Sequence, residues 1–477
     1  MKLELLLAVV FLSGWSLCIP QRRVSHYGHQ ALLRQAPKGE LPVDKFNFID
    51  IELLQLTAES EAGNVVLSPA SVKTTLSMLW EGAEGRTAQE IGSALRLHGR
   101  SRDKQEQQLH QYQQNLTVPA AQGEQPSSTL NVASQVFYNN HVTINPAYSD
   151  ALANYGARTQ AVNMSDPALA AATINKWVST ATHGHLPSLV EPDSLSDNPV
   201  MMLANAVFFQ GTWQVAFDPL LTQESCFYAS ASEPCHKVQM METMGSFRSK
   251  LIHELEATLL EMPYNDGRFS MLILLPERRD GMQELMRNIV FANLLHVLNS
   301  DLEDSEYVVS IPKFSIEYST DLVPVLNKLR VVDVFSPAAN LSRMLKQDAT
   351  TRVEPAVSNV FHKSKIVVNE EGAIASGATG ALVVPLMGGP QPKFRADHPF
   401  LFFIRDVKTG GFLFAGRVSR PEAADVAQPE MPAVLLSEMK ESATAGPSSA
   451  TSKRSNAAAA QQNVKDDINF PTNGSRD

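Results

Sequence analysis

Apolar residues follow three regimes along the chain. Behind Met1 and Lys2, residues 5–15 form a short and nearly unbroken apolar run. From Phe46, the positions Phe46, Ile49, Ile51, Leu53, Leu54 and Leu56 recur at a spacing that predicts a mostly buried helix. Residues 74–80 predict a second helix, ended by the glycines of EGAEG. The middle then shifts to short apolar and β-prone runs that predict strands at 132–138, 201–209, 238–241, 259–262, 269–275 and 307–311. Helical spacing returns at 167–182, 282–298 and 320–329. Buried strands are predicted again at 400–404 and 411–418. Beyond residue 422 the apolar pattern collapses into Ala, Ser, Gln, Pro and charge.

Strands mixed with helices, without regular βαβ alternation or an internal repeat, argue for an α+β fold. No linker divides residues 46–421, which read as one domain. Residues 19–45 are polar and irregular and read as a flexible arm. The tail, 422–477, cannot bury enough surface to offset chain entropy and reads as disordered.

Charge removes one function class. The 50 acids and 40 bases give a formal net charge of −10, so a general nucleic-acid binder is not expected. Residues 1–18 resemble a secretory signal peptide, with Ser16-Leu17-Cys18 at the cleavage spacing. The apolar run is too short to span ~30 Å of hydrocarbon, so a secreted, extracellular protein without a membrane anchor is expected. Cys226 and Cys235 then remain as an even pair, either a local disulfide or two free thiols. Sequons at Asn115, Asn163, Asn340 and Asn473 are glycosylation candidates. Arg96, Arg100, Arg102 and Lys104 form a basic row, either a solvated face or a site for a sulfated polysaccharide.

Enzyme signatures fail in turn. His253-Glu254 begins a string like HExxH, but Ala257 stands where the second zinc ligand belongs. There is no GxSxG elbow, no GxxxxGK phosphate loop and no CxxC, and the twelve histidines lack metal-ligand spacing. No cofactor, metal or catalytic role is implied. The odd feature is GAIASGATG at 372–380, which follows Asn369-Glu370-Glu371 and continues into ALVVPLM. Small residues lower the steric demand of joining a packed sheet, and exposed apolar loop residues suit a protease.

With that stretch, nine ordered blocks resemble the serpins, serine protease inhibitors of the suicide-substrate type. They are NVVLSPASV at Asn64, WEGAEGRT at Trp80, INKWVSTATHG at Ile174, NAVFFQGTWQVAFDP at Asn205, VQMM at Val238, PKF at Pro312, FHKSKIVVNEEG at Phe361, DHPFLFFIRD at Asp397 and FAGRVSRP at Phe414. The resemblance covers 46–421. It implies three β-sheets, eight or nine helices and an exposed reactive-centre loop. A protease would cleave that loop, become trapped as an acyl-enzyme, and be carried away as the loop inserts into the central sheet.

The resemblance also implies roles for particular residues. The hinge comprises Glu370, Glu371, Gly372, Ala373, Ala375, Gly377, Ala378 and Thr379. The reactive bond lies fourteen residues after Gly372, between Leu386 and Met387, with a shift to Met387-Gly388, or Lys393 or Arg395 as bait for a trypsin-like protease, as the alternatives. A large apolar residue before the bond points to a chymotrypsin-like or elastase-like target, in a covalent complex with a monomeric inhibitor. Ala373, Ala375, Gly377 and Thr379 would face the core on insertion and bury no charge. Ala373, Ile374, Gly377 and Gly380 depart from the family pattern and would slow insertion; a carrier or extracellular ligand without inhibition is the other reading. Ser68, Ser71, Asn205 and His362 match the shutter beneath the sheet. Trp213, Lys313 and Glu370 match the breach where the loop enters, with Lys313 and Glu370 as a charged latch.

Overall fold

The computed structural model describes residues 45–97, 99, 101–117, 128–230, 233–290, 302–346, 356–371 and 391–422. The signal peptide, most of the arm, the hinge from Gly372 onward, the Leu386–Met387 bond, Asn473 and nearly all of the tail lie outside them. Among the described residues there are eight α-helices: α1 (Phe48–Ala58), α2 (Pro69–Gly82), α3 (Gly85–Ala94), α4 (Arg102–Thr117), α5 (Pro146–Leu152), α6 (Pro167–Ala181), α7 (Met282–Asn288) and α8 (Val323–Lys328). None is long and apolar enough to cross a membrane.

The strands are β1 (Val65–Leu67), β2 (Ser128–Asn139), β3 (Arg158–Val162), β4 (Met201–Gly211), β5 (Gln223–Phe227), β6 (His236–Ile252), β7 (Ala257–Pro263), β8 (Phe269–Pro276), β9 (Glu303–Pro312), β10 (Phe314–Asp321), β11 (Asn359–Val368), β12 (Lys393–Arg395), β13 (Phe400–Asp406) and β14 (Phe412–Val418). A five-stranded sheet has the order β10-β11-β4-β2-β3. Every other strand joins one nine-stranded network, β1-β14-β13-β8-β7-β6-β9-β12, with β5 also on β6. Three sheets were expected, and the structure has two hydrogen-bonded networks among the described residues. The reason is β6. Its first residues pair with β5 and its last with β7, while β9 follows Met240–Ser249, so one unbroken strand joins two sheet surfaces.

Local sequence explains the central helix. Ser68 is its N-cap, accepting from the Ser71 N–H at 3.3 Å, and Pro69 at the first position lacks an N–H that would need a partner. Every residue of α2 is buried, even Lys73, whose ammonium meets Asp50 at 2.8 Å and Asn47 at 2.8 Å. Asp166 caps α6 in the same way, accepting from the Leu169 N–H at 3.1 Å ahead of Pro167. The helix expected at 320–329 is shorter. β10 runs through Asp321, and α8 starts only at Val323. The tail boundary also moves. The Glu422 carbonyl accepts from the Ser315 N–H at 3.3 Å, so residue 422 belongs to the folded body. Lys45, expected in the arm, opens a 3-10 turn.

Candidate functional site

The central feature is the seam between β4 and β11. The two strands are parallel and directly paired from Asn359↔Met202 to Val367↔Gln210. β4 is fully buried except at Gln210, because α6 covers one face while α2 and the nine-stranded network share the other. Such double burial suits the near-continuous apolar run of MMLANAVFF.

Polar side chains interrupt that run at one level. Asn205 on β4 lies opposite His362 on β11 and opposite Ser134 on β2. The Ser68 N–H donates to His362 Nε2 at 3.1 Å, so the ring proton resides on Nδ1. Nδ1 then donates to Asn205 Oδ1 at 2.9 Å. Asn205 Nδ2 in turn reaches Ser134 Oγ at 3.0 Å, Thr75 Oγ1 at 3.2 Å and the Ser71 carbonyl at 3.3 Å. Ser68 Oγ donates to the Leu413 carbonyl at 2.7 Å, and Ser364 Oγ to the Val66 carbonyl at 2.7 Å. Ser68, Asn205, His362 and Ser364 are wholly shut from solvent. Burial pushes the His362 imidazole down to about 3, so it is neutral. Ser71 joins the network through its backbone; its hydroxyl is buried without a partner.

Where β11 ends, the chemistry changes. Lys313 Nζ meets Glu370 Oε2 at 2.8 Å, and Thr222 Oγ1 donates to Glu370 Oε1 at 3.0 Å. Burial raises the Glu370 carboxyl, but the Lys313 and Thr222 hydrogen bonds and the Lys313 charge hold it below its usual range. Trp213 Nε1–H donates to the Asn369 carbonyl at 2.8 Å, and the Trp213 backbone N–H to the Glu371 carbonyl at 3.0 Å. The Trp213 ring stacks on Tyr264 with centroids 4.5 Å apart. Gly211 makes room for that pair, since a Cβ there would lie 2.3 Å from the Tyr264 ring. The segment leaving β11 is thus fastened to the end of β4 just before the small-residue stretch begins.

The comparisons agree with this architecture. The family model "Serpin (serine protease inhibitor)" matches residues 46–421. The chain belongs to the serpin family. It is 35% identical over 373 residues to serine protease inhibitor 42Dd of Drosophila melanogaster, covering 78% of this chain and 95% of that one. It is 33% identical over 375 residues to the leukocyte elastase inhibitor of Bos taurus, covering 77% and 96%. Among solved structures, Serpin48 of the insect Tenebrio molitor superposes with a TM-score of 0.69 at 30% identity, covering 80% of this chain and all of that one. Uncleaved ovalbumin gives a TM-score of 0.68 at 27% identity, covering 79% and 100%. The serpin fold expected from the motif blocks is the fold observed.

In this serpin Cys226 and Cys235 are bonded, closing the β5–β6 hairpin. Asn163 and Asn340 are exposed, while Asn115 is half-buried at the end of α4. The basic row is not a free row. Arg96 pairs with Glu52, and Arg102 turns inward onto the carbonyls of Trp80, Glu81 and Ala83 at 2.8–2.9 Å. Lys104 is exposed, and Arg100 lies outside the described residues. Sequence reasoning missed Ser134, Thr75, Ser364, Thr222 and Gln210, whose Nε2 donates to Glu371 Oε2 at 3.1 Å. Ser134 was reachable: pairing 128–138 antiparallel to 201–211 sets it against Asn205.

Proposed function

We propose that this serpin is secreted and inhibits extracellular serine proteases as a suicide substrate, with Leu386–Met387 as the reactive bond. The protease's serine oxygen attacks the Leu386 carbonyl carbon. The bond to the Met387 nitrogen breaks, that nitrogen takes up a proton, and Leu386 remains as an ester on the protease. The freed segment then runs back between β4 and β11, antiparallel to both. The observation that carries this reading is the parallel pairing of β11 with β4. Opening it gives up one parallel ladder and forms two antiparallel ones, which are slightly more stable per residue. Ala373, Ala375, Gly377 and Thr379 would face the core without burying a charge. Trapping follows when insertion outruns ester hydrolysis.

The apolar Leu386 favours a chymotrypsin-like or elastase-like target, and similarity to a leukocyte elastase inhibitor agrees with it. The test mixes the full-length protein with chymotrypsin and with elastase on denaturing gels. An SDS-stable complex with the cut after Leu386 is expected. Clean cleavage with no complex and no gain in thermal stability would leave a carrier or extracellular ligand instead. A complex formed only with trypsin would overturn the bond assignment and keep the mechanism.

A further inference from the structure

A second polar cluster lies between α2 and α4 and takes no part in the seam. Glu81 is in the last turn of α2, and Glu106 and His110 are four residues apart on α4. That spacing puts both α4 residues on one helix face. One carboxylate oxygen from each Glu and one ring nitrogen of His110 lie within 4.8 Å of one another. His110 Nε2 is 3.2 Å from Glu81 Oε1, yet it is buried and makes no hydrogen bond. Glu81 is only 3% exposed and accepts from the Tyr155 hydroxyl at 2.8 Å. The Tyr155 ring packs edge-on against the His110 ring at 5.6 Å.

One cationic side chain, Arg102, lies close enough for its charge to act on both carboxylates. Neither carboxylate pairs with a Lys or Arg among the described residues. Arg102, one turn before Glu106, spends its guanidinium on α2 carbonyls and lies 4.0 Å over the Trp80 ring. Two carboxylates therefore converge on an unbonded imidazole nitrogen in a partly desolvated cleft, an arrangement that favours a positive guest.

We propose that Glu81, Glu106 and His110 bind a zinc ion that ties α4 to α2, with water as the fourth ligand. Two carboxylates balance the 2+ charge, and a mixed imidazole and carboxylate set suits zinc better than calcium or magnesium. Tetrahedral zinc with ligands at about 2.1 Å has ligand-to-ligand edges of roughly 3.4 Å. The His110–Glu81 edge is already 3.2 Å. The other two edges are no longer than 4.8 Å, and side-chain rotation of the half-buried Glu106 would adjust them. Tyr155 holds Glu81 in place from outside the ligand set, the usual second partner of a metal-bound carboxylate.

The full-length protein, stripped with chelator, is titrated with Zn2+ alone by calorimetry and by thermal unfolding. One ion is expected to bind and raise the unfolding midpoint, and chelator should reverse the rise. Glu106→Gln with His110→Gln should abolish the high-affinity event and the thermal shift. Tyr155→Phe should weaken binding by roughly 10-fold or more. Both variants are first shown by circular dichroism to match wild type without metal. Equal zinc binding by wild type and the double variant would assign the ion to other histidines and overturn the proposal. So would no binding to wild type at all.

Discussion

At Asn205 the β4–β11 seam is dry, neutral and crowded with hydrogen bonds. At Glu370 it is partly in water and held by a charge pair. Side-chain exposure is 24% for Lys313 and 15% for Glu370, against none for Asn205 and His362. The difference matters because the two places fail differently. Opening the dry level strands donors and acceptors with nothing to replace their partners, which costs about 1–3 kcal/mol for each group. At the end of β11, water can solvate whatever the opening exposes. Separation of the strands should therefore start at Glu370 and meet its main resistance at Asn205. Under the proposed mechanism, the small-residue stretch would enter in the same order, from its hinge.

The strongest way to break this contrast is Asn205→Ala. It leaves His362 Nδ1–H buried without its acceptor and removes the donor shared by Ser134, Thr75 and the Ser71 carbonyl. A loss of roughly 3 kcal/mol is expected in urea unfolding. A loss below about 1 kcal/mol would make the dry level no harder to open than the top.

Acid is the next test. His362 is depressed to about 3 in the folded protein, whereas an unfolded histidine titrates near 6.5. The unfolded chain thus binds the extra proton first, and stability falls as pH drops from 6.5 toward 3. Between pH 6.5 and 5 the loss attributable to His362 is about 2 kcal/mol, and His362→Gln should remove that slope. Glu370 is also depressed, so the contribution of its pair is present above its unfolded value and fades only at more acid pH.

A smaller effect is expected at the top. Lys313→Met should cost about 1 kcal/mol, because the pair is partly solvated and Thr222 still holds Glu370. It should nonetheless speed spontaneous loop insertion, read as conversion to a heat-stable, inactive form on storage. No faster conversion than wild type would remove the latch role. The finest test is amide hydrogen exchange in the native protein. Ile366 and Val367 should exchange faster than Phe361 and His362, although all four lie on one strand.

Much of this contrast could be read in the sequence, and the rest could not for identifiable reasons. The strands β4, β8, β13 and β14 were legible because burial on both faces leaves uninterrupted apolar runs. Only 238–241 was legible of β6. Its later residues alternate toward solvent as Glu242, Met244, Ser246 and Arg248, which hides a strand that continues to Ile252. β10 was read partly as helix because FSIEYSTD lies against the start of α8. Ser68, Asn205 and His362 were found through family blocks. Thr222 was not, because a lone threonine in a loop has no signature until Glu370 is placed beside it. Arg96 and Arg102 looked like a basic face because sequence spacing does not reveal which guanidinium groups turn inward.

The rung formed by Ser134, Asn205 and His362 spans β2, β4 and β11 at a single level. Neighbouring strands in a sheet are about 4.8 Å apart. A strand added between β4 and β11 would double the spacing at that point, and His362 could no longer reach Asn205. The rung is complete only while five strands are present, so the sheet in effect counts its members. Under the proposed insertion, it is a ruler that would read true for the uncut molecule alone.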